Sequence, residues 1–418
     1  MAMGTTAKQR SEINIAIAAY LQSNGYLQSL NAFMNEAQIL DENADLTGSA
    51  QVLERKFLTN ARLQIKVSAL EKQVQQLQQE VTSEVPTREK RKREEWIPRP
   101  PEKFELVGHR NPVTRVIFHP IYNMLVTSSD DGTLRVWDVL NGNCERTLTG
   151  HTNNVNDIAF NKKGDLLVSC SADMSAKIWD VKDGFACVKT ITGHDHSITS
   201  VAFTHDNLLI TASRDSSIKM WLWSESRCVQ NFVGHESWVR MIRLHNGGKY
   251  MASCGNDKMI KIWGIDNRSH IVDLFGHENY IEVVAWAPND VVNYAFGGKK
   301  PASDAKDPDV LIEGEPLILA SAARDKAIRL WHVNKGICLH VITGHDNWIR
   351  GLVFHPTGKY LISVSDDKTM RTWCVEQKRQ IKSMPVHKQF VNGVDFHSFE
   401  PYVATASCDT TAKIWECR

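Results

Sequence analysis

The chain has 418 residues, and its 49 Lys and Arg against 48 Asp and Glu give a formal net charge of +1 at pH 7. This balance excludes a general electrostatic attraction to nucleic acid or to a membrane surface, and no apolar run is long enough to span a bilayer. The nine cysteines form no Cys-x-x-Cys pair and the first ten residues hold no signal-peptide core, which predicts a reduced, cytosolic protein.

The first predicted unit, residues 1–40, is helical. Ile17 and Leu21 lie four residues apart on one helix face, and Gly25 ends that helix. A second short amphipathic helix begins at Tyr26. Two such helices bury too little apolar surface to fold alone, so we expect them to pair with a second copy of the chain. The string from Ile17 to Tyr26 resembles the LisH dimerisation motif.

Residues 51–83 are predicted to form a parallel coiled coil. Apolar residues succeed one another at alternating steps of four and three, with Val at the a positions and Leu at the d positions. This arrangement favours two parallel strands. The seam residues expected to hold the dimer are Leu63, Val67, Leu70, Val74, Leu77 and Val81. The alternative is a single helix lying on the rest of the protein, which the narrow apolar stripe disfavours.

Residues 84–102 are predicted to be a basic and Pro-rich linker. The run 88–93 consists of Arg, Lys and one Glu, and Pro98, Pro100 and Pro101 stiffen the C-terminal part of the linker. A basic run either contacts nucleic acid or an acidic surface, or is simply solvated. The second interpretation is the more common one for a charge run.

From residue 103 to residue 418 one unit repeats seven times. A Trp recurs every 42 residues, except once where 26 residues are inserted. An Asp stands six residues before each Trp, a Ser or Thr four residues before that Asp, and a His further back. In the second unit these are His151, Ser169, Asp173 and Trp179. Seven units of this length predict an all-β propeller of seven four-stranded blades.

These recurring side chains are predicted to form a structural hydrogen-bond network. An indole N–H only donates, a hydroxyl or imidazole donates and accepts, and a carboxylate accepts. A Ser-His-Asp catalytic triad is the alternative, but one enzyme does not need seven identical sites, and the chain has no Gly-x-Ser-x-Gly elbow. We expect no catalytic, cofactor-binding or metal-binding residues.

The chain ends three residues after the last Trp, so the seventh unit lacks its outer strand. In later units an apolar residue stands three positions before the His. Within residues 103–107, Leu106 stands at the same distance before His109. This segment is therefore predicted to complete the last blade, which removes the two open edges of the ring.

Positions that differ between units are predicted to recognise partners. They stand three and five residues after each His and directly before each repeat Asp. The His loop and the Asp turn share one end of a blade, so these positions crowd one side of the ring, here called the wide face. Units three to seven carry aromatic residues and Arg there, which are enriched in binding hot spots. The predicted partner-binding residues are Arg214, Trp238, Arg240, Tyr280, Arg324, Trp348, Arg350 and Phe390. The alternative is that some of these aromatic rings pack between blades.

The insert, residues 289–316, lies in a turn on the opposite face. Its Gly297-Gly298 pair and its Asp- and Lys-rich run predict a disordered loop that does not shape the wide face.

The repeated Gly-His, Ser/Thr, Asp and Trp-Asp pattern, cleanest over residues 150–180, resembles the WD-repeat family. A LisH-like motif, a coiled coil, a Pro-rich linker and seven WD units, in that order, resemble the lissencephaly-1 family over nearly the whole chain. Residues 95–104 match that family's linker, and residues 413–418 match its C-terminus.

The resemblance implies a dimeric, non-enzymatic regulator of minus-end-directed transport, located in the cytoplasm at microtubules and the centrosome. It also implies binding to the cytoplasmic dynein heavy chain, to NudE-type adaptors and to the catalytic subunits of a platelet-activating-factor acetylhydrolase. Nucleic-acid binding and membrane insertion are not expected. The alternative is a ubiquitin-ligase substrate receptor, a class in which LisH and WD units also occur together, but no segment is left for docking a ligase adaptor.

Overall fold

The computed structural model describes residues 96–288 and 316–417, together with residues 17, 18, 21, 26, 28, 29, 291, 294 and 312. The chain divides into two compact units, Met1–Lys90 and Arg91–Arg418. None of the helices within this described part has the length and hydropathy that a membrane span needs.

In the first unit, the described residues fit the predicted helices. Ile17, Ala18 and Leu21 are helical, and the amide of Tyr26 donates to the carbonyl of Leu21 at 3.0 Å. The coiled-coil seam, from Leu63 to Val81, and the basic run 88–93 lie outside the described residues.

In the second unit, the described residues form short strands of four to seven residues each, plus a 3-10 helix at Val333–Lys335. The strands are β1 (Phe104–Val107), β2 (Val113–Phe118), β3 (Met124–Ser129), β4 (Leu134–Asp138), β5 (Cys144–Leu148), β6 (Val155–Phe160), β7 (Leu166–Ser171), β8 (Ser175–Asp180), β9 (Ala186–Thr192), β10 (Ile198–Phe203), β11 (Leu209–Ser213), β12 (Ser217–Leu222), β13 (Arg227–Val233), β14 (Val239–Leu244), β15 (Tyr250–Gly255), β16 (Ile260–Gly264), β17 (His270–Leu274), β18 (Ile281–Trp286), β19 (Ile318–Ala323), β20 (Ala327–His332), β21 (Ile337–Thr343), β22 (Ile349–Phe354), β23 (Tyr360–Ser365), β24 (Thr369–Cys374), β25 (Arg379–Pro385), β26 (Val391–Phe396), β27 (Tyr402–Ser407) and β28 (Thr411–Glu416).

These strands make seven antiparallel four-stranded sheets, which confirms the predicted seven-bladed propeller. Blades 1 to 6 each take four consecutive strands, beginning with β2, β6, β10, β14, β18 and β22. Blade 7 has the order β1-β28-β27-β26. The innermost strands form a closed ring, because β2 contacts both β6 of the next blade and β26 of the last one.

Strand β1 closes the ring as predicted. Leu106 pairs with Ala412 and Phe104 with Ile414. The pairing begins earlier than the sequence indicated, because Pro98 already forms a bridge with Cys417. The Pro98 carbonyl also accepts a hydrogen bond from Lys382 Nζ at 2.8 Å. Residues 98–107 therefore act as a strap that runs beside the C-terminal strand along much of its length.

The apolar core lies between neighbouring blades rather than at one centre. One cluster packs Val126 and Val136 of blade 1 against Ile158 and Trp179 of blade 2. The repeat Trp is buried in this way in each blade. The three inner strands of a blade are consequently largely buried on both faces, whereas outer strands such as β5 and β9 are mostly exposed, and each blade depends on its neighbours for burial.

The insert is anchored at both ends, contrary to the predicted disordered loop. Val291 and Ile312 are buried in the apolar cluster that joins blades 4, 5 and 6. The amide nitrogen Nδ2 of Asn334 donates to the Ile312 carbonyl at 2.8 Å. The prediction was wrong at these positions because burial of the Val291 and Ile312 side chains stabilises both ends of the insert. The Gly- and Lys-rich composition of the run between them does not reveal this burial. The rest of the insert lies outside the described residues.

The closure can be tested with two neighbouring residues of β1. Leu106 is 2 % exposed and packs in the core between blades 7 and 1, whereas Val107 is 67 % exposed. We predict that Leu106→Ala lowers the free energy of unfolding by about 2–5 kcal/mol, as expected for a buried Leu truncation. Val107→Ala serves as the control and should stay close to the wild type. Thermal unfolding monitored by circular dichroism measures both, and equal melting temperatures would contradict the closure.

Candidate protein-binding face

The repeat residues of each blade form one continuous chain of hydrogen bonds. In blade 2, Trp179 Nε1 donates to Ser169 Oγ at 2.9 Å, and Ser169 Oγ lies 2.8 Å from His151 Nε2. His151 Nδ1 lies 2.8 Å from Asp173 Oδ2. Because the carboxylate accepts the Nδ1 proton, Nε2 must accept from the Ser169 hydroxyl. The network therefore selects the neutral Nδ1–H form of the imidazole.

The same bonds occur in all seven blades. The indole–hydroxyl distances are 2.8–3.0 Å. The hydroxyl–imidazole distances are 2.7–2.8 Å. The imidazole–carboxylate distances are 2.5–3.0 Å. Blade 5 keeps the set although 48 residues separate His277 from Asp325.

The protonation states agree with a structural role. Burial lowers the pKa of His109, His151 and His194, and this effect exceeds the opposite effect of their carboxylate partners. Burial opposes ionisation of Asp173, but hydrogen bonds from Ser175 and His151 bring its pKa down to about 2. At neutral pH an ionised carboxylate thus holds a neutral ring, and the pair fastens the His loop to the Asp turn.

Each inner strand carries a β-bulge close to its start on the wide face. The regular pairing of strands β2, β6, β10, β14, β18, β22 and β26 with their neighbours skips one residue there. The skipped residues are Thr114, Asn156, Thr199, Arg240, Glu282, Arg350 and Asn392. A bulge takes a residue out of the ladder and redirects its side chain. This explains why the position five residues after each His is free to vary.

A second regular contact brings the three variable series together. In every blade the amide of the residue before the repeat Asp donates to the carbonyl of the residue three after the His, at 2.8–3.0 Å. These series surround the mouth of the central channel, where a funnel of about 360 Å³ is lined by residues from all seven blades. The wide face thus holds a recessed centre with variable side chains around it.

Seven of the eight predicted binding residues are joined by stacking contacts. Guanidinium carbons lie 4.1–5.7 Å from ring centroids in five pairs, Arg214–Trp238, Arg240–Tyr280, Arg324–Tyr280, Arg324–Trp348 and Arg350–Trp348. We call this series the Arg–aromatic ladder. Its aromatic rings remain partly exposed, with Trp238 at 39 % and Tyr280 at 37 %. Phe390, in blade 7, is 45 % exposed and lies outside the ladder.

Two carboxylates of the ladder were absent from the residues predicted for the site. Glu282 accepts from Arg240 Nη1 at 2.9 Å and from Arg324 Nε at 2.5 Å. Asp366 accepts from Nε and Nη2 of Arg350, both at 3.0 Å. The sequence held a signal for both carboxylates, because Glu282 and Asp366 stand in the same variable series as the predicted arginines. These bonds use some of the N–H groups of each guanidinium and fix the orientation of its plane.

The floor of the funnel is also charged. Asp157 of blade 2 lies 3.4 Å from Arg115 Nε and 3.1 Å from Arg243 Nη1, and it accepts a hydrogen bond from Ser200 Oγ at 2.6 Å. Burial opposes ionisation of Asp157, but Arg243 and Arg115 together lower its pKa. One carboxylate therefore links blades 1, 2, 3 and 4 across the channel.

Comparison with known proteins identifies the repeats and the N-terminal motif. The family "WD domain, G-beta repeat" matches residues 101–138, 142–180, 185–221, 226–264, 336–374 and 378–416. The family "PAC1 LisH domain" matches residues 7–42. The unmatched stretch 265–335 holds most of blade 5 and the insert, yet blade 5 is complete in its strands and its hydrogen bonds.

Several relatives are similar over most of their length. A "Lissencephaly-1 homolog" from Caenorhabditis briggsae is 41 % identical over 363 residues, which cover 87 % of this chain and 86 % of that protein. A "Nuclear distribution protein PAC1" from Arthroderma otae is 37 % identical over 382 residues, covering 86 % of this chain and 81 % of the relative. The protein of the same name from Arthroderma benhamiae is 36 % identical with the same coverage.

The chain belongs to the lissencephaly-1/PAC1 family. The WD repeats and the names of these relatives indicate a family of non-catalytic scaffolds. Among the described residues, no group of three or more His, Cys, Asp or Glu side chains is placed to hold a metal ion. In this lissencephaly-1/PAC1 protein, the wide face is accordingly a candidate surface for binding other proteins.

The repeat network predicts which substitutions damage the fold. Ser169→Ala removes the only group that joins Trp179 to His151, so an indole N–H and an imidazole nitrogen lose their partner in the core. Each of these groups that is left without a hydrogen-bond partner should lower the free energy of unfolding by about 1–3 kcal/mol. Ser169→Thr keeps the hydroxyl, and Thr already occupies this position in three other blades, at Thr127, Thr211 and Thr405.

Chemical denaturation of the two variants measures the difference. We expect Ser169→Ala to unfold at clearly lower denaturant concentration than the wild type and Ser169→Thr to unfold close to it. An alanine variant as stable as the threonine variant would show that the hydroxyl is dispensable.

Proposed function

We propose that this protein is a dimeric scaffold that binds the dynein motor domain through its wide face and thereby regulates minus-end-directed transport along microtubules. Membership of the lissencephaly-1/PAC1 family supports the proposal, since the PAC1 relatives are named for nuclear distribution. The observation that carries it is the Arg–aromatic ladder, which occupies blades 3 to 6 of one face.

The composition of the ladder fits a protein interface. Trp, Tyr and Arg dominate binding hot spots because they combine a large apolar area with directed hydrogen bonds. Here each aromatic ring supports a guanidinium, so the side chains are held in place before a partner arrives. Pre-organisation of this kind lowers the entropy lost on binding.

The charge of the ladder favours an acidic partner surface. Its four arginines, at positions 214, 240, 324 and 350, outnumber the two carboxylates Glu282 and Asp366 that pair with them. A net positive patch of this size steers an acidic partner toward the wide face. The whole chain is nearly neutral, so the attraction is local.

The dimer is part of the proposal because of the N-terminal unit. The LisH match at residues 7–42 and the heptad seam of residues 63–81 support a parallel dimer. Two propellers on one dimer would raise the effective concentration of the second site once the first is bound. We include NudE-type adaptors and the catalytic subunits of a platelet-activating-factor acetylhydrolase among the partners, with the cytoplasm, microtubules and the centrosome as sites of action. The ubiquitin-ligase alternative finds no support in the names of the relatives.

The ladder can be tested with one central ring. Trp348 supports both Arg324 and Arg350, so Trp348→Ala removes an apolar contact and loosens two guanidinium groups. We predict a loss of about 2 kcal/mol or more in binding a purified dynein motor domain, which is roughly a thirtyfold weaker affinity. Phe399→Ala is the matched control, because Phe399 is an exposed aromatic residue in a turn of the opposite face.

Fluorescence anisotropy with a labelled motor domain measures the affinities, and thermal unfolding shows whether each variant is intact. Motor affinity that is unchanged by Trp348→Ala would refute the proposed binding face. So would an equal loss for Phe399→Ala.

The dimer is tested separately. Replacing Leu70, Val74 and Leu77 by Asp puts charges into the predicted apolar seam and should give a monomer with a folded propeller. The control replaces Gln75, Gln76 and Gln79, which the heptad places outside the seam, by Asp. Multi-angle light scattering is expected to show half the mass for the first variant and an unchanged mass for the second. A seam variant that stays dimeric would disprove the coiled-coil assignment.

A further inference from the structure

The bulge residue and the residue before the repeat Asp lie side by side on the wide face of each blade, and in four blades they are bonded to each other. In blades 4 to 7 the two side chains of one blade form the pairs Arg240–Asn256, Arg324–Glu282, Arg350–Asp366 and Asn392–Cys408. The polar groups of these four blades are therefore largely satisfied within the protein.

Asn392 of blade 7 also donates to the next blade, to the Val113 carbonyl at 2.9 Å. In blades 1 to 3 the bulge residue bonds to the next blade but not to the residue before the repeat Asp. Thr114 Oγ1, Asn156 Nδ2 and Thr199 Oγ1 each donate to a carbonyl of the next blade at 2.6 Å. These side chains fasten one blade to the next and do not bond the residue before the repeat Asp. That residue is Asp130 in blade 1, Ala172 in blade 2 and Arg214 in blade 3.

Two charges of opposite sign are left in this part of the ring. No hydrogen bond or ion pair reaches the Asp130 carboxylate from any residue that the structure describes, and its burial, together with the neighbouring Asp131, raises its pKa. Arg214 stacks on Trp238 but forms no ion pair with a described residue. Both side chains are half-buried and both line the funnel.

We propose that the wide face accepts one charged pair from its protein partner, a basic side chain at Asp130 and an acidic side chain at Arg214. The inference rests on the proposed function, since it describes how the partner of the same face is oriented. Asp130 thereby joins the binding surface as a residue that determines specificity.

The two charges favour one docking direction. A half-buried carboxylate that has no cation nearby gains more from a partner's ammonium or guanidinium group than a carboxylate in water does. A partner docked the other way round would place like charges together at both positions, and like-charge contacts suppress wrong arrangements. A uniformly acidic partner would be attracted by the ladder but repelled at Asp130.

The test measures the affinity of the full-length dimer for a purified dynein motor domain. Asp130→Asn and Arg214→Gln remove one charge each with little change in shape, and we expect each to weaken binding about five- to tenfold. Asp130→Lys should weaken binding further, because it repels the basic group. Asp206→Asn is the control, since Asp206 is an exposed acidic residue in a turn of the opposite face.

The outcomes separate this inference from the proposed function. Wild-type protein that does not bind the motor domain would overturn the proposed function. Wild-type binding that Asp130→Asn leaves unchanged, while Arg214→Gln weakens it, would overturn the role of Asp130 alone. Melting temperatures close to that of the wild type are expected for both variants, because neither side chain forms a hydrogen bond or ion pair with a described residue, and Arg214 is held by stacking on Trp238.

A second measurement needs no partner. The carboxyl carbon of Asp130 is observed by NMR in protein labelled with 13C-aspartate, and the Asp130→Asn variant assigns its signal. We expect the pKa of the Asp130 carboxyl to lie above the ordinary range of aspartate, as for a carboxylate that has no cation beside it. Titration below that range would show that a cation within the chain already neutralises Asp130, and would overturn the inference even where no partner is bound.

Discussion

The fold depends on one hydroxyl in each blade. It accepts the N–H of the buried Trp and donates to the neutral His, whose other nitrogen is held by an ionised Asp. This bonding joins the third strand and the second strand of a blade to its entry loop. Because the pattern is repeated seven times, every blade presents its His loop and Asp turn at the same height around the channel.

That constraint explains why variation is tolerated beside it. The bulge residue is released from the strand ladder, and the backbone amide of the residue before the repeat Asp is bonded to the His loop whatever its side chain. In blades 4 to 6 these side chains pair with one another, and the Arg240–Glu282 bond also joins blade 4 to blade 5. In blades 1 to 3 the bulge residue bonds to the next blade and leaves the residue before the repeat Asp without a side-chain bond to it. The ring therefore has one side on which the charges are paired and another side on which Asp130 and Arg214 form no ion pair with a described residue.

Most of the propeller is predictable because its determinants are periodic. The register of Leu106 and the spacing of Trp residues are local or repeated signals, and the structure agrees with both. The pairing of Glu282 with Arg240 and Arg324 is not local, because it joins three positions whose distance depends on how the ring closes. The anchoring of Val291 and Ile312 was missed for the same reason, since the space that they fill belongs to the neighbouring blade.

The strap that closes blade 7 has a consequence for synthesis of the chain. Glu102 and Lys413 form an ion pair across 311 residues of sequence, so β1 leaves the ribosome long before β28 exists. Throughout translation of six blades this strand has no partner in its own sheet, and the first blade has no neighbour on one side. Contacts of such high sequence separation form late and slowly. Synthesis of β28 is therefore the event that allows the ring to lock, and a chain that stops before β28 has two open sheet edges.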